Sequence, residues 1–307
     1  MNELQKCYER FFEIGGITIF LGSDLPIENN TFDKKFTHFA VDGPSDDTIT
    51  ISHHFGIPNI VINDLGKELY HNPPWAIYQC NNSYYYTGIS TNIDDQSLHI
   101  LAVCSDNHNH SEIYTNSAYE KSWRNGGLHS LTMFPTDQIL IARLLADRQG
   151  CYLHSAGAII NRAGLLFVGH SEAGKSTTTN LLIQAAAKGN IELEILCDDR
   201  NIVRLMADRW QLYGSWSHGD VPIVSGSHAP LHGICFIEQA HDNTIFPLTD
   251  RNEIIRRLLG CLIRPFVTAD WWKKTLDIIE KIMLQVPCYI MRFDKSGDIV
   301  KEILKIS

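Results

Sequence analysis

Gly169-His170-Ser171-Glu172-Ala173-Gly174-Lys175-Ser176 is the segment of this chain whose residue types and spacing speak most directly of chemistry. It matches Gly-x-x-x-x-Gly-Lys-Ser/Thr in full, and Thr177 follows. The glycines let backbone N–H groups turn inward around phosphate oxygens, and a helix starting there adds its partial positive charge. In such a loop the lysine, Lys175, reaches the β- and γ-phosphates of ATP, and the Ser176 hydroxyl binds Mg2+. The context agrees with that reading. The apolar run Leu165 to Val168 predicts a strand before the loop, Thr177 to Lys188 predicts a helix after it, and Gly189 ends the helix. A chance Gly-rich turn is the bland alternative, and both flanks count against it.

The second set is Asp198-Asp199, closing the apolar run Ile195-Leu196-Cys197. Two acids at the end of a strand fit a site beside such a loop. One would hold Mg2+, and the other would accept a hydroxyl proton as phosphoryl transfer begins. Which does which is open from sequence, and a solvated turn before Arg200 is the competing reading. His154 is the third candidate, because a histidine near a carboxylate can keep it ionised and oriented. A satisfied core histidine is equally compatible. Tyr213-Gly214-Ser215-Trp216-Ser217-His218-Gly219 suits a loop over a substrate, or an ordinary hairpin exit. Arg256, Arg257 and Arg264 form a cationic set on or after a helix. They would meet a phosphate or, on the blander reading, a solvated face.

Elements must position these groups. At 307 residues the chain is roughly two domain-lengths, and the expected division is 1–130 and 131–307. The first part reads as β-rich, with strand-like runs at 17–21, 48–51, 60–62, 76–80, 84–89 and 98–103, and with Asn81-Asn82-Ser83 as a hairpin turn. Trp123 to Gly127 is the expected boundary. Then Pro135-Thr136-Asp137 starts a helix through Ile139, Leu140, Leu144 and Leu145 that Gly150 stops. Strand runs at 151–154 with 158–160, and at 164–168, flank the turn Asn161 to Gly164. Beyond the acids come a strand at 233–238, a helix opened by the Asp250/Glu253 capping box, a helix from Asp270, a strand at 288–293 and a helix from Asp298 to Ile306.

Composition narrows the function class. Lys plus Arg number 26 against 35 Asp plus Glu, a net charge of −9, which argues against a nucleic-acid partner gripped by bulk charge. Met1 to Lys6 lack the pattern of a secretory signal, and no run of about 18 apolar residues is present. The expectation is therefore a cytoplasmic protein with no membrane partner. The eight cysteines contain no Cys-x-x-Cys pair and read as reduced. Cys104, His108 and His110 come nearest to a metal cluster, but their polar setting reads better as a loop.

Leu153-His154-Ser155-Ala156-Gly157, the strand and phosphate loop, and Leu196-Cys197-Asp198-Asp199-Arg200 together resemble the HPr kinase/phosphorylase family. They resemble still more its relatives found with ribosomally made peptides, such as the lasso-peptide kinases. The segment 213–219 is also similar to the Gly-Ser/Thr-x-Trp-x-His-Gly pattern of related kinases. The resemblance covers roughly residues 136 to 300. It implies an α/β (α+β) P-loop domain like the nucleotide-binding part of phosphoenolpyruvate carboxykinase, placed after the β-rich domain of unknown role. It further implies an ATP-dependent serine kinase in which Gly169, Gly174, Lys175, Ser176 and Thr177 bind ATP and Mg2+. Asp198 or Asp199 would be the base and His154 its support, with a protein or peptide as acceptor and a homo-oligomeric assembly. No Glu-Ile-Arg-Gly stretch follows the acids, so the resemblance does not extend to the phosphorylase reaction or to HPr as substrate. A kinase of free serine, a P-loop ATPase or switch, and a non-catalytic adaptor are the alternatives. No Leu-Ser-Gly-Gly-Gln or Asn-Lys-x-Asp supports the ATPase or guanine-switch readings.

Overall fold

The computed structural model describes residues 7–60, 64–89, 98–134, 137–189, 191–265 and 268–307. The chain is mixed α/β with two large sheets and divides into two compact units, residues 1–140 and 141–307. Among the described residues no helix is long and apolar enough to cross a membrane.

In the first unit, alternating apolar residues build nine strands: β1 (Glu9–Ile14), β2 (Ile17–Ser23), β3 (Ala40–Val41), β4 (Thr48–Phe55), β5 (Lys67–Asn72), β6 (Trp75–Cys80), β7 (Ser83–Ile89), β8 (Leu98–Ser105) and β9 (His110–Thr115). They form one sheet in the order β3-β1-β2-β4-β9-β8-β7-β6-β5. The Asn81-Asn82 turn closes the β6–β7 hairpin, with Cys80 opposite Ser83. Asn81 takes the positive φ of 53° that such a turn requires. Phe12, Phe32, Phe36 and Trp123 pack edge to face, with Phe32 and Trp123 centroids 5.5 Å apart.

Several expectations need correction here. Trp123 to Gly127 is no boundary. It ends the helix α1 (Ser117–Asn125), and Trp123 is buried in this unit's core. The division falls at Leu140, inside the helix α2 (Gln138–Ala146). Ile60 belongs to no strand, and 61–62 lie outside the described residues, as do 135–136. The loop expected between Cys104 and His110 is there, as residues 106–109 form the β8–β9 turn, and among the described residues no group of three or more His, Cys, Asp or Glu could hold a metal ion.

The second unit contains β10 (Gly150–Ile160), β11 (Ala163–Val168), α3 (Lys175–Ala187), β12 (Leu193–Cys197), β13 (Arg200–Met206), β14 (Arg209–Tyr213), β15 (His228–Gln239), β16 (Thr244–Pro247), α4 (Arg251–Gly260), α5 (Ala269–Gln285), β17 (Cys288–Phe293) and α6 (Ile299–Ile303). Gly150 opens β10 rather than ending a helix, and α6 is shorter than its periodicity predicts. The sheet runs β11-β10-β13-β14-β15-β17-β16, with β12 also on β10 and β11 also parallel to β15. Every residue of β11 is buried, because apolar layers cover both faces. One layer includes Leu258, Trp271, Ile278 and Ile282 of α4 and α5, and the other includes Leu182, Ile299 and Ile303 of α3 and α6. A central strand so enclosed is a rigid mount for the loop that leaves its C-terminal end.

Candidate active site

The loop between β11 and α3 needs glycine at two places. A Cβ on Gly169 would stand 2.7 Å from the Ala173 Cβ. Gly174 has φ of +115°, and a Cβ there would meet the Phe293 ring at 2.9 Å. The Gln239 amide donates to the Glu172 carbonyl at 2.8 Å and ties the loop to the end of β15. Gly174 is the N-cap of α3 and supplies no side-chain cap, so the first-turn N–H groups have no capping oxygen. That is the geometry of an anion seat. Lys175, 7% exposed, donates from Nζ to the carbonyls of Gly169 and His170, each at 3.0 Å. Burial holds its pKa below the ordinary lysine range, while Asp199 and Asp198 pull it back up.

The paired acids sit at a fork in the sheet. Residues 150–154 of β10 pair with β13, and residues 157–160 pair with β12. The turn Asp198-Asp199 joins β12 to β13 at that fork. Asn201, fully buried, fills the gap. Its amide donates to the Ser155 carbonyl at 2.7 Å and to the Cys197 carbonyl at 3.2 Å. Gly157 leaves it room, since a Cβ there would lie 2.4 Å from Asn201 Oδ1.

The two acids differ in surroundings. Asp198 is 2% exposed. Its Oδ2 accepts from Ser176 Oγ at 3.1 Å and from the Val221 N–H at 2.9 Å, and its Oδ1 accepts from the Gly219 N–H at 2.6 Å. The strand end, the helix start and the 214–221 loop thus meet on one carboxylate. Asp199 faces an imidazole and a guanidinium instead. His154 Nδ1 lies 3.1 Å from Oδ1 and 2.9 Å from the Asp199 carbonyl, and Arg200 Nη1 is 2.6 Å from Oδ2. Both oxygens near His154 Nδ1 are acceptors, so that nitrogen carries the hydrogen. Burial works to raise the Asp199 pKa, but the His154 hydrogen bond and the Arg200 charge outweigh it and hold the carboxyl below the usual range. Ser217 donates to Asp199 Oδ2 at 3.3 Å and accepts a very short bond from Arg200.

The structure therefore joins Ser176 to Asp198 and His154 to Asp199, and seats Lys175 on the loop carbonyls next to Ser176. Gly169, His170, Ser171, Glu172, Ala173, Gly174 and Thr177 lie in the adjoining loop and helix start. Along that loop runs a cleft of about 630 Å3 walled by Gly169, His170, Glu172, Glu238, Arg257 and Cys261. Arg264 is apart from it, over the Trp272 ring at 5.8 Å. Sequence reading passes over Asn201, and it includes Gly157 only as part of the His154 motif, without its role. Their role depends on the fork, which has no local pattern. Ser217 lay within a segment already singled out.

The donor set suits Mg2+. Ser176 Oγ and Asp198 Oδ2 are hard oxygens side by side at the start of an anion-seating helix.

Comparison with known proteins adds little detail. No family model matches the chain, and no curated protein does. Among solved structures it is similar to the Hpr(Ser) kinase/phosphatase from Coxiella burnetii, at 9% identity and a TM-score of 0.29, over 50% of this chain and 93% of that one. At that score the likeness is distant and carries no argument, so the reading rests on the site.

Proposed function

We propose that this protein is an ATP-dependent kinase that moves the γ-phosphoryl group to a serine-type hydroxyl of a protein or peptide. The observation that carries the reading is the Ser176–Asp198 bond at the uncapped start of α3, with a second carboxylate, Asp199, held ionised beside it by His154 and Arg200. The loop N–H groups and Lys175 seat the phosphates. Lys175 now rests on two loop carbonyls and must leave them to do so. Ser176 and Asp198 would hold Mg2+, which when bound neutralises charge developing on the phosphates. Asp199 accepts the proton of the acceptor hydroxyl. The hydroxyl oxygen forms the new bond to phosphorus, the bond from phosphorus to the β,γ-bridging oxygen breaks, and ADP leaves. With a loose transition state, orientation and charge carry most of the acceleration, so a carboxylate with a depressed pKa suffices as base.

The test is ATP turnover with Mg2+, in the absence and presence of serine-bearing peptides. The kinase reading expects little ADP without an acceptor and stoichiometric ADP and phosphopeptide with one. Steady phosphate release that ignores the acceptor would point to an ATPase instead.

A further inference from the structure

We propose that Arg257 is a ligand of the nucleotide's γ-phosphate, held in reserve by two glutamates. The proposal rests on the ATP-binding reading above and adds a residue outside the loop and the paired acids. Arg257 is on α4 and lines the same cleft as Gly169 and His170. Those are the residues whose carbonyls now hold the Lys175 ammonium. Cys261 caps the C-terminal end of α4. Cys261 walls the cleft and accepts the His154 backbone N–H at 2.7 Å. Burial raises the Cys261 thiol pKa, and the charges of Lys175 and Arg257, both within reach, work against that rise. The geometric link is the shared cleft wall, where Arg257 and Cys261 stand with the loop residues Gly169 and His170.

The contacts of Arg257 resemble a latch. Nη2 donates to Glu238 Oε1 at 2.5 Å and Nε to Glu253 Oε1 at 2.6 Å. Its guanidinium lies 5.7 Å from the Phe236 ring centroid. Glu253 is shared with Arg256, which binds it through Nε and Nη2. If Arg257 departs, Glu253 keeps a cationic partner and only Glu238, which is exposed, loses its own. The guanidinium's planar fork matches phosphate oxygens as well as it matches carboxylates. A triphosphate in the loop therefore offers Arg257 an exchange of partners at small cost, and the third phosphate is the group assigned to take it.

The experiment is calorimetric binding of Mg-ATP and Mg-ADP to the full chain and to Arg257→Ala, Arg257→Lys and Glu238→Gln. Removing the guanidinium should weaken ATP about tenfold while ADP holds within about twofold. Arg257→Lys should lose part of that ATP preference, and Glu238→Gln, which loosens the latch, should strengthen it. Equal weakening of both nucleotides in both Arg257 variants, or no change in either, overturns the proposal. If the unaltered chain binds neither nucleotide, the ATP-binding reading fails rather than this assignment.

Discussion

Two adjacent aspartates stand in different surroundings. Asp198 is enclosed and receives only neutral donors, among them the Ser176 hydroxyl, whereas Asp199 sits between an imidazole and a guanidinium. On the proposed kinase reading, that contrast puts Asp198 on the metal side and Asp199 on the acceptor side. Asp199→Asn should leave ATP affinity nearly unchanged and lower transfer by about 10²- to 10⁴-fold, read by single-turnover kinetics against nucleotide binding. Asp199 is held below the usual carboxylate range, so its contribution to stability is full above the unfolded value of 3.8 and fades as the pH falls through the folded value. Removing the imidazole in His154→Ala lets that pKa rise. The acid limb of the transfer rate should then move to higher pH, and an unmoved limb would deny His154 its supporting role. The residue types and spacing of this site are legible in sequence, because a phosphate loop is local. The division of labour between the acids is not, because Gly219, Val221 and Ser217 arrive from a later loop.

At the scale of elements, the site depends on where β10 changes partners. Strand runs, the Asn161 turn and the helix after the loop follow from local pattern. The fork does not, because it is set by register between segments some 45 residues apart (Leu153 opposite Asn201). Asn201→Ala strips hydrogen bonds from the buried carbonyls of Ser155 and Cys197, and should cost about 1–3 kcal/mol in denaturant unfolding. Gly157→Ala drives a methyl group into Asn201 and should cost a similar amount, about 1–3 kcal/mol, by overpacking. Because the same amide, itself on β13, ties β10 and the end of β12 together beside the acid turn, these variants should also slow transfer. Coupling between the two substitutions in a double-mutant cycle would check that they act at one junction. The helix α1 shows the reverse case. Its Asn116 cap and short amphipathic run are present in sequence, but the surrounding strand pattern overshadows them.

The whole molecule joins an N-terminal unit of unread task to a unit whose chemistry can be argued. The N-terminal unit has a pH response of its own. His53 is 1% exposed, with Nε2 on the Leu131 carbonyl at 2.7 Å and its ring 5.0 Å from Trp123. Burial lowers its pKa from 6.5 to about 4, while the Leu131 bond works against that and neighbouring His54 adds to it. The unfolded chain therefore takes a proton that the folded one refuses. Stability is full above pH 6.5 and is lost as the pH falls toward about 4, by about 3 kcal/mol for this group. His54, between Asp24 and Glu112, acts in the opposite sense. Burial tends to lower its pKa, but the two carboxylates outweigh that and raise it, so its contribution is full below 6.5 and lost as the pH rises through the folded value. Melting from pH 7 down to 5 should show the acid loss, and His53→Gln should flatten it. Net charge, by contrast, says little about the proposed phosphate site, where Lys175, Arg257 and the α3 amides would set the field rather than the overall −9. The central claim is transfer of phosphoryl from ATP to a hydroxyl by the loop of Lys175. Its most direct test is incubation of the full chain with γ-labelled ATP, Mg2+ and serine-bearing peptides encoded beside its gene, followed by mass spectrometry. The account predicts label on a serine oxygen, abolished in Lys175→Ala, and undiminished labelling in that variant would contradict it.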